Sequence, residues 1–271
     1  MKKAAPTVSN AWLVFSRGMI SLVAISCWGV IRRDIVFLPK NGALLLIVRG
    51  IAGYVGVTSL FYGVTHLPLP VAAVFNWSSP IFVVLFSRLF LSERLPSGSR
   101  GLVLLAFVGL TQVVGLRFDE GFHSLLPWFP ALVGLLGAVA AGVAYTAIRA
   151  ASAQFSSNTI IFYFSLMTSL LAAPFAFFSS VPFQTGWTPV LLLVGASATL
   201  GQICMTHAYR YAPAGVVSVL SLMNAPFSAL LGYWVFGEVI ELWQWFGIFI
   251  LGVAVSGVAL LQQRRVKGVT V

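Results

Sequence analysis

Long apolar stretches alternate with short polar connections over nearly the whole chain. About nine of these stretches have the ~20 residues that a helix needs to cross a hydrocarbon core of roughly 30 Å. The strands of a membrane barrel would be about ten residues long with strict apolar–polar alternation, which is not seen. We therefore predict an all-α membrane protein, a polytopic helical bundle of about nine transmembrane helices. The predicted spans are 12–30, 43–64, 71–91, 101–116, 126–148, 159–178, 188–208, 214–236 and 242–261.

The composition supports a lipid environment. Apolar residues make up 59% of the chain and charged residues only 8%, whereas about a quarter of a soluble domain is charged. A soluble globular protein is therefore excluded. The net charge of +10 favours basic loops that set the orientation in the membrane. It does not favour a nucleic-acid surface, because no basic run with interleaved aromatic residues lies outside the apolar stretches.

The distribution of basic residues predicts the orientation of the helices. Most of them fall in connections on the same side as the C-terminal Arg264 and Arg265. By the positive-inside rule, we expect a cytoplasmic C-terminus in the bacterial inner membrane and an N-terminus on the other side. Three arginines lie inside spans. We expect Arg49 and Arg88 to extend towards the cytoplasmic surface and Arg17 towards the opposite one, because long basic side chains snorkel to the interface.

One pattern occurs twice along the chain. Each copy has a span that ends in a proline-containing turn, a span interrupted by proline, and a glutamate at the end of that second span. Pro80 and Pro226 are separated by 146 positions, and Glu93 and Glu238 by 145. The copies are five spans apart, so they cross the membrane in opposite directions. Inverted repeats of this kind are typical of secondary transporters.

The repeated segments, residues 65–80 with 91–94 and residues 201–215 with 237–238, resemble the EamA type of the drug/metabolite transporter superfamily. The resemblance implies two inverted repeats, here 1–118 and 125–264, a family pattern of ten helices and a central cavity for small metabolites. The first span of this chain resembles the second helix of the family. The resemblance thus implies that the first helix is missing from the first repeat.

Polar side chains in the middle of apolar spans are the candidates for contact with a substrate. Asn76 and Asn224 each stand shortly before a repeated proline, Pro80 and Pro226. Proline cannot donate to the carbonyl four residues earlier, so a free carbonyl and an amide lie together. This pair can bind a polar substrate, or it can join two helices by hydrogen bonds. Both interpretations carry equal weight.

Other polar groups complete the predicted site. The further substrate-binding candidates are Ser79, Tyr54, Tyr62, Tyr145 and Gln202. Interfacial anchoring is the alternative for Tyr62, because it lies near a helix end. Pro80, Pro226, Glu93 and Glu238 are predicted to act as structural or hinge residues.

These features favour a secondary transporter or exporter of small organic metabolites, amino-acid- or nucleoside-like, that works by alternating access. The alternative is a passive channel or a non-transporting membrane scaffold. An enzyme is not expected, because the spans contain no paired carboxylates, no Ser/His pair and no metal-ligand cluster. We expect no cofactor, no metal and no nucleic acid. The expected partners are a small-molecule substrate and the lipid bilayer, and a homodimer is left open.

Overall fold

A computed structural model describes residues 10–32, 34–37, 39, 41–67, 69–114, 128–178, 185–237 and 239–267. Within these ranges every regular element is a helix. The order is α1 (Asn10–Arg32), α2 (Ala43–His66), α3 (Leu69–Trp77), α4 (Ser79–Phe90), α5 (Ser99–Val114), α6 (Trp128–Ala151), α7 (Ser157–Phe177), a 3₁₀ turn (Thr185–Trp187), α8 (Thr188–Tyr211), α9 (Ala214–Leu220), a 3₁₀ turn (Ser221–Met223), α10 (Asn224–Phe236) and α11 (Leu242–Lys267).

The predicted fold class is confirmed. In the described part of the chain, eight helical segments are long and apolar enough to cross a membrane, and α5 is a shorter apolar helix. Two of the eight segments combine shorter helices: α3 with α4, and α9 with α10. The chain is therefore a multi-pass helical membrane protein of about nine spans.

The helices form two compact units, and each unit takes residues from both halves of the sequence. The first unit comprises Met1–Tyr62 and Val139–Tyr211, and the second comprises Gly63–Ala138 and Ala212–Val271. The first unit thus contains α1, most of α2 and the helices α7 and α8. The second contains α3 to α5 and α9 to α11.

In the first unit, α1 packs against α7 and α8 through small residues. A Cβ atom added to Gly18 would lie only 2.6 Å from the hydroxyl of Ser169. The hydroxyls of Ser21 and Thr199 share a hydrogen bond of 2.6 Å between α1 and α8. Small side chains allow membrane helices to approach closely, and hydroxyls can then bond across the contact.

In the second unit, α5 and α11 lie against each other along their length. A Cβ atom added to Gly109 would lie 2.7 Å from the backbone nitrogen of Leu251. A Cβ atom added to Gly247 would lie 2.8 Å from the backbone nitrogen of Val113. The backbones therefore touch at two glycines. The buried side chains around this contact include Ala106, Leu110, Val216, Leu222, Leu251 and Val258.

Candidate functional site

Both proline-containing spans are interrupted. The chain leaves α3 at Trp77 and begins α4 at Ser79, so that Pro80 is the second residue of α4. It leaves α9 at Leu220, passes through a 3₁₀ turn, and begins α10 at Asn224, so that Pro226 is its third residue. Proline is tolerated in the first turn because the N–H groups there have no partner within the helix. Each proline therefore starts a new helix in mid-span.

The two interrupted spans also end alike. Ser92 follows α4 with a φ of 55°, and Gly237 follows α10 with a φ of 66°. Both residues have the left-handed backbone conformation, which favours glycine. Beyond the first of them, Glu93 Oε2 accepts a hydrogen bond of 2.8 Å from the backbone N–H of Ala214, the first residue of α9. The matching Glu238 lies outside the described residues.

At the first break, the carbonyl that proline leaves without a helical donor has a local partner. The Ser79 hydroxyl donates to the carbonyl oxygen of Asn76 at 3.1 Å, and Ser79 is buried. The side chains of Asn76 and Asn224 are both exposed. The second unit thus holds three of the predicted substrate contacts: the two exposed amides and a hydroxyl that bonds across the break between α3 and α4.

The other four predicted contacts lie in the first unit. Tyr54 and Tyr62 are half-buried on α2. Gln202 is buried on α8, where its Nε2 donates to the hydroxyl of Thr206 one turn later, at 3.2 Å. Tyr145 on α6 stacks on Tyr209 of α8, with ring centres 5.4 Å apart and ring planes at 17°. Of these residues, Tyr145 is thus joined to a neighbouring helix by a ring contact.

Arg49 does not snorkel, so that prediction is wrong. Its side chain is 2% exposed. Its guanidinium carbon lies 4.0 Å from the centre of the Phe164 ring. The space comes from Gly53, one helical turn later, because a Cβ atom there would collide with Nη1 of Arg49. The guanidinium therefore lies along α2 and faces α7 inside the first unit.

Three further side chains of the first unit interact with this arginine through their charge or dipole. Arg17 on α1, Tyr145 and Tyr209 all lie close enough to interact electrostatically with Arg49. Arg17 is half-buried and Tyr209 is 1% exposed. The sequence did contain a signal for this interior arginine: Gly50 and Gly53 follow it on the same helix, and small residues mark the places where membrane helices approach closely.

Arg149 has a structural contact at the end of α6. Its Nη1 donates to the carbonyl oxygen of Arg210 at 2.8 Å and lies 3.4 Å from that of Tyr209. These carbonyls belong to the last turn of α8, which has no helical donors of its own. A basic side chain at this position also complements the helix dipole. Arg149 therefore caps α8.

The model of the EamA-like transporter family matches residues 1–115 and 128–260. The chain belongs to this family. It is 34% identical over 240 residues to the pseudopaline exporter of Pseudomonas aeruginosa, and the aligned region covers 88% of this chain and 82% of that protein.

More distant relatives are transporters of other molecules. The chain is 24% identical to the riboflavin transporter of Brucella anthropi, over 98% of this chain and 95% of that protein. It is 25% identical to the S-adenosylmethionine uptake transporter of Rickettsia felis, over 71% and 63%. The names include both an exporter and an uptake transporter. Membership in the family therefore indicates a membrane transporter rather than an enzyme.

A solved structure supports the fold. It aligns with 94% of this chain and 88% of its own, with a TM-score of 0.68 and 18% sequence identity.

Proposed function

We propose that this protein is a secondary transporter of small organic metabolites, amino-acid- or nucleoside-like, in the bacterial inner membrane. The observation that carries the proposal is the pair of spans broken at Pro80 and Pro226. Discontinuous helices with matching breaks are the elements from which many secondary transporters build their sites. The relatives, an exporter and two transporters of small metabolites, also support a small organic cargo.

The breaks suit a protein that changes conformation. A helix that ends and restarts within the membrane has a few backbone torsions that can absorb a rotation, as hinge residues do. Two repeats, 1–118 and 125–264, in opposite orientations would exchange conformations and expose the cargo to each side in turn. Pro80 and Pro226 are the proposed hinges in this cycle, and Glu93 and Glu238 are the proposed structural residues that follow the two interrupted spans.

Asn76 and Asn224 are the proposed cargo contacts at the breaks. Both amides are exposed and both stand at a helix start or end, where backbone groups lack helical partners. An amide offers donors and acceptors together, which suits a cargo with mixed polar groups. Ser79, Tyr54, Tyr62, Tyr145 and Gln202 are the further proposed contacts.

Transport by purified protein in liposomes tests the proposal. The panel contains radiolabelled amino acids, nucleosides and riboflavin, each measured over a range of concentrations. We expect saturable flux of at least one class of compound. We expect Asn76→Leu and Asn224→Leu to reduce this flux about tenfold or more, which corresponds to about 1.4 kcal/mol. Gln263→Leu removes the same amide from an exposed position near the end of α11 and is the matched control.

The alternative functions give different results in the same liposomes. A passive channel would show flux that rises linearly with concentration. A scaffold would show no flux of any compound. Saturable flux that is unchanged in both asparagine variants would retain transport and reject the two amides as cargo contacts.

A further inference from the structure

Arg49 is the charged side chain with the greatest burial among the residues that the structure describes. A guanidinium stays protonated in proteins, and a buried charge is strongly unfavourable unless it has a partner. Its contact with the Phe164 ring supplies only a modest cation–π attraction. An interior arginine in this position therefore requires an anionic partner.

The protein itself offers Arg49 no counter-ion among the described residues. Its Nε is buried and has no hydrogen-bond partner in the part of the chain that the structure describes. The sequence contains no acidic residue between Asp34 and Glu93, and none between Glu120 and Glu238. Asp34 follows the end of α1, where its Oδ2 accepts a hydrogen bond of 2.7 Å from Asn158. The apolar spans of the first unit thus carry a cation but no carboxylate.

The helix that faces Arg49 also carries hydroxyls without partners. Thr168 lies one turn beyond Phe164 on α7, so the two share a face of that helix. The hydroxyls of Thr168 and Ser165 are buried and have no hydrogen-bond partner among the described residues. Buried hydroxyls are normally satisfied. The Thr168 hydroxyl, on the same face of α7 as the Phe164 ring that contacts Arg49, therefore adds a potential donor for an anion.

The groups near Arg49 also favour binding of an anion. Arg17 is a second cation close enough to repel Arg49. The stacked rings of Tyr145 and Tyr209 also lie near this arginine. An anion near both arginines would relieve their repulsion. The rings supply a flat apolar surface with polar tips.

We propose that the first unit binds a carboxylate of the cargo at Arg49, with Arg17 as the second cation. The proposal rests on the transport function above and deepens it, because it selects amino-acid-like cargo over neutral nucleosides. The planar guanidinium matches a carboxylate by two parallel hydrogen bonds. Thr168 donates a further bond, and the rings of Tyr145 and Tyr209 contact an apolar part of the cargo.

Equilibrium binding to the purified full-length protein tests this site without requiring transport. The probes are free L-amino acids and, as matched controls, their primary amides, which lack only the carboxylate charge. We expect at least one amino acid to raise the melting temperature of the wild-type protein in detergent, while its amide does not. Equal shifts with acid and amide, or no shift with any acid, would overturn the proposal. So would a shift with inorganic phosphate and none with the acids.

Three variants then assign the carboxylate to Arg49. We expect Arg49→Gln to weaken binding of the acid by about tenfold or more and Arg49→Lys to retain part of it. Arg100→Gln removes an exposed arginine of the second unit and should bind like wild type. Wild-type affinity in a folded Arg49→Gln protein would refute the assignment.

Two further variants separate binding from folding and from an internal ion pair. If Arg49→Gln does not give a monodisperse protein, Gly53→Ala keeps the charge but displaces the guanidinium, and it should weaken binding too. Asp34→Asn should leave binding unchanged. If Asp34→Asn lost as much acid binding as Arg49→Gln, Asp34 would participate in the site. That result would contradict a site built on Arg49 alone.

The outcomes distinguish this inference from the proposed function. Acid-selective binding lost in Arg49→Gln, without flux in liposomes, would retain the carboxylate site and reject transport. Saturable flux of a neutral cargo that is unchanged in Arg49→Gln would retain transport and reject the carboxylate site.

Discussion

The guanidinium of Arg49 packs on the ring of Phe164, 4.0 Å from the ring centre, inside the first unit. Replacing a buried ion pair by apolar side chains of similar volume is often neutral or stabilising by about 1–4 kcal/mol, and a buried charge without an ionic partner is itself unfavourable. We therefore expect Arg49→Met to leave the melting temperature of the detergent-solubilised protein unchanged or to raise it. Substrate binding should be lost in the same protein.

The opposite result would assign Arg49 a purely structural role. In that case Arg49→Met would lower the melting temperature and any change in binding would follow the loss of folded protein. Phe249→Leu, a substitution of an exposed aromatic side chain on α11, controls for changes in the surface that contacts detergent.

The helix ends and breaks followed closely from the sequence, whereas the position of Arg49 did not. The predicted span 43–64 became Ala43–His66, and 188–208 became Thr188–Tyr211. These elements are set by apolar length and by proline, which act locally. The direction of the Arg49 side chain depends on the gap at Gly53 and on a ring supplied by α7. That is a tertiary property, which a hydropathy pattern does not contain.

The predicted polar site shows the same limit of sequence patterns. Gln202 was predicted to bind the substrate, and its Nε2 donates to the hydroxyl of Thr206, one turn away on its own helix. The hydroxyl of Ser79 satisfies the carbonyl that Pro80 leaves open. Such i to i+3 and i to i+4 bonds are available to any helix with suitable residues. The sequence shows which residues are polar, but not which of them bond within their own helix.

Glu93 joins the end of one span to the start of another within the second unit. Its carboxylate accepts from the N–H of Ala214, in the first turn of α9. A carboxylate there satisfies an N–H without a helical partner and complements the helix dipole. We expect Glu93→Ala to destabilise the protein by about 1–3 kcal/mol, as for hydrogen bonds to charged groups, measured as a lower melting temperature. Glu93→Gln keeps an acceptor and should fall between Glu93→Ala and wild type. A variant with alanine that melts like wild type would show that the contact contributes nothing.

The contact between α5 and α11 depends on two glycines. Alanine at Gly109 or Gly247 would place a methyl group against the opposing backbone, so we expect either substitution to lower the melting temperature by several degrees. Gly252 lies on α11 with open space around it. There Gly252→Ala should be neutral or stabilising, because alanine is favoured over glycine in a helix by about 1 kcal/mol. Equal effects at Gly109 and Gly252 would contradict close packing at this contact.

Ser92 and Gly237 occupy matching positions with left-handed backbone, but only Ser92 carries a side chain. We therefore expect substitutions at the two positions to have opposite effects. Serine at a φ of 55° is strained, and glycine removes the steric cost of about 1–2 kcal/mol for a side chain in this region. We therefore expect Ser92→Gly to raise the melting temperature. Gly237→Ala should lower it by a comparable amount, because a side chain is introduced at a φ of 66°. Space is not the reason, since nothing lies within 4 Å of an added Cβ atom at Gly237. Ser92→Gly removes a side chain, and Gly237→Ala adds one at the equivalent position. If both substitutions changed the melting temperature in the same direction, backbone conformation would not determine the effect.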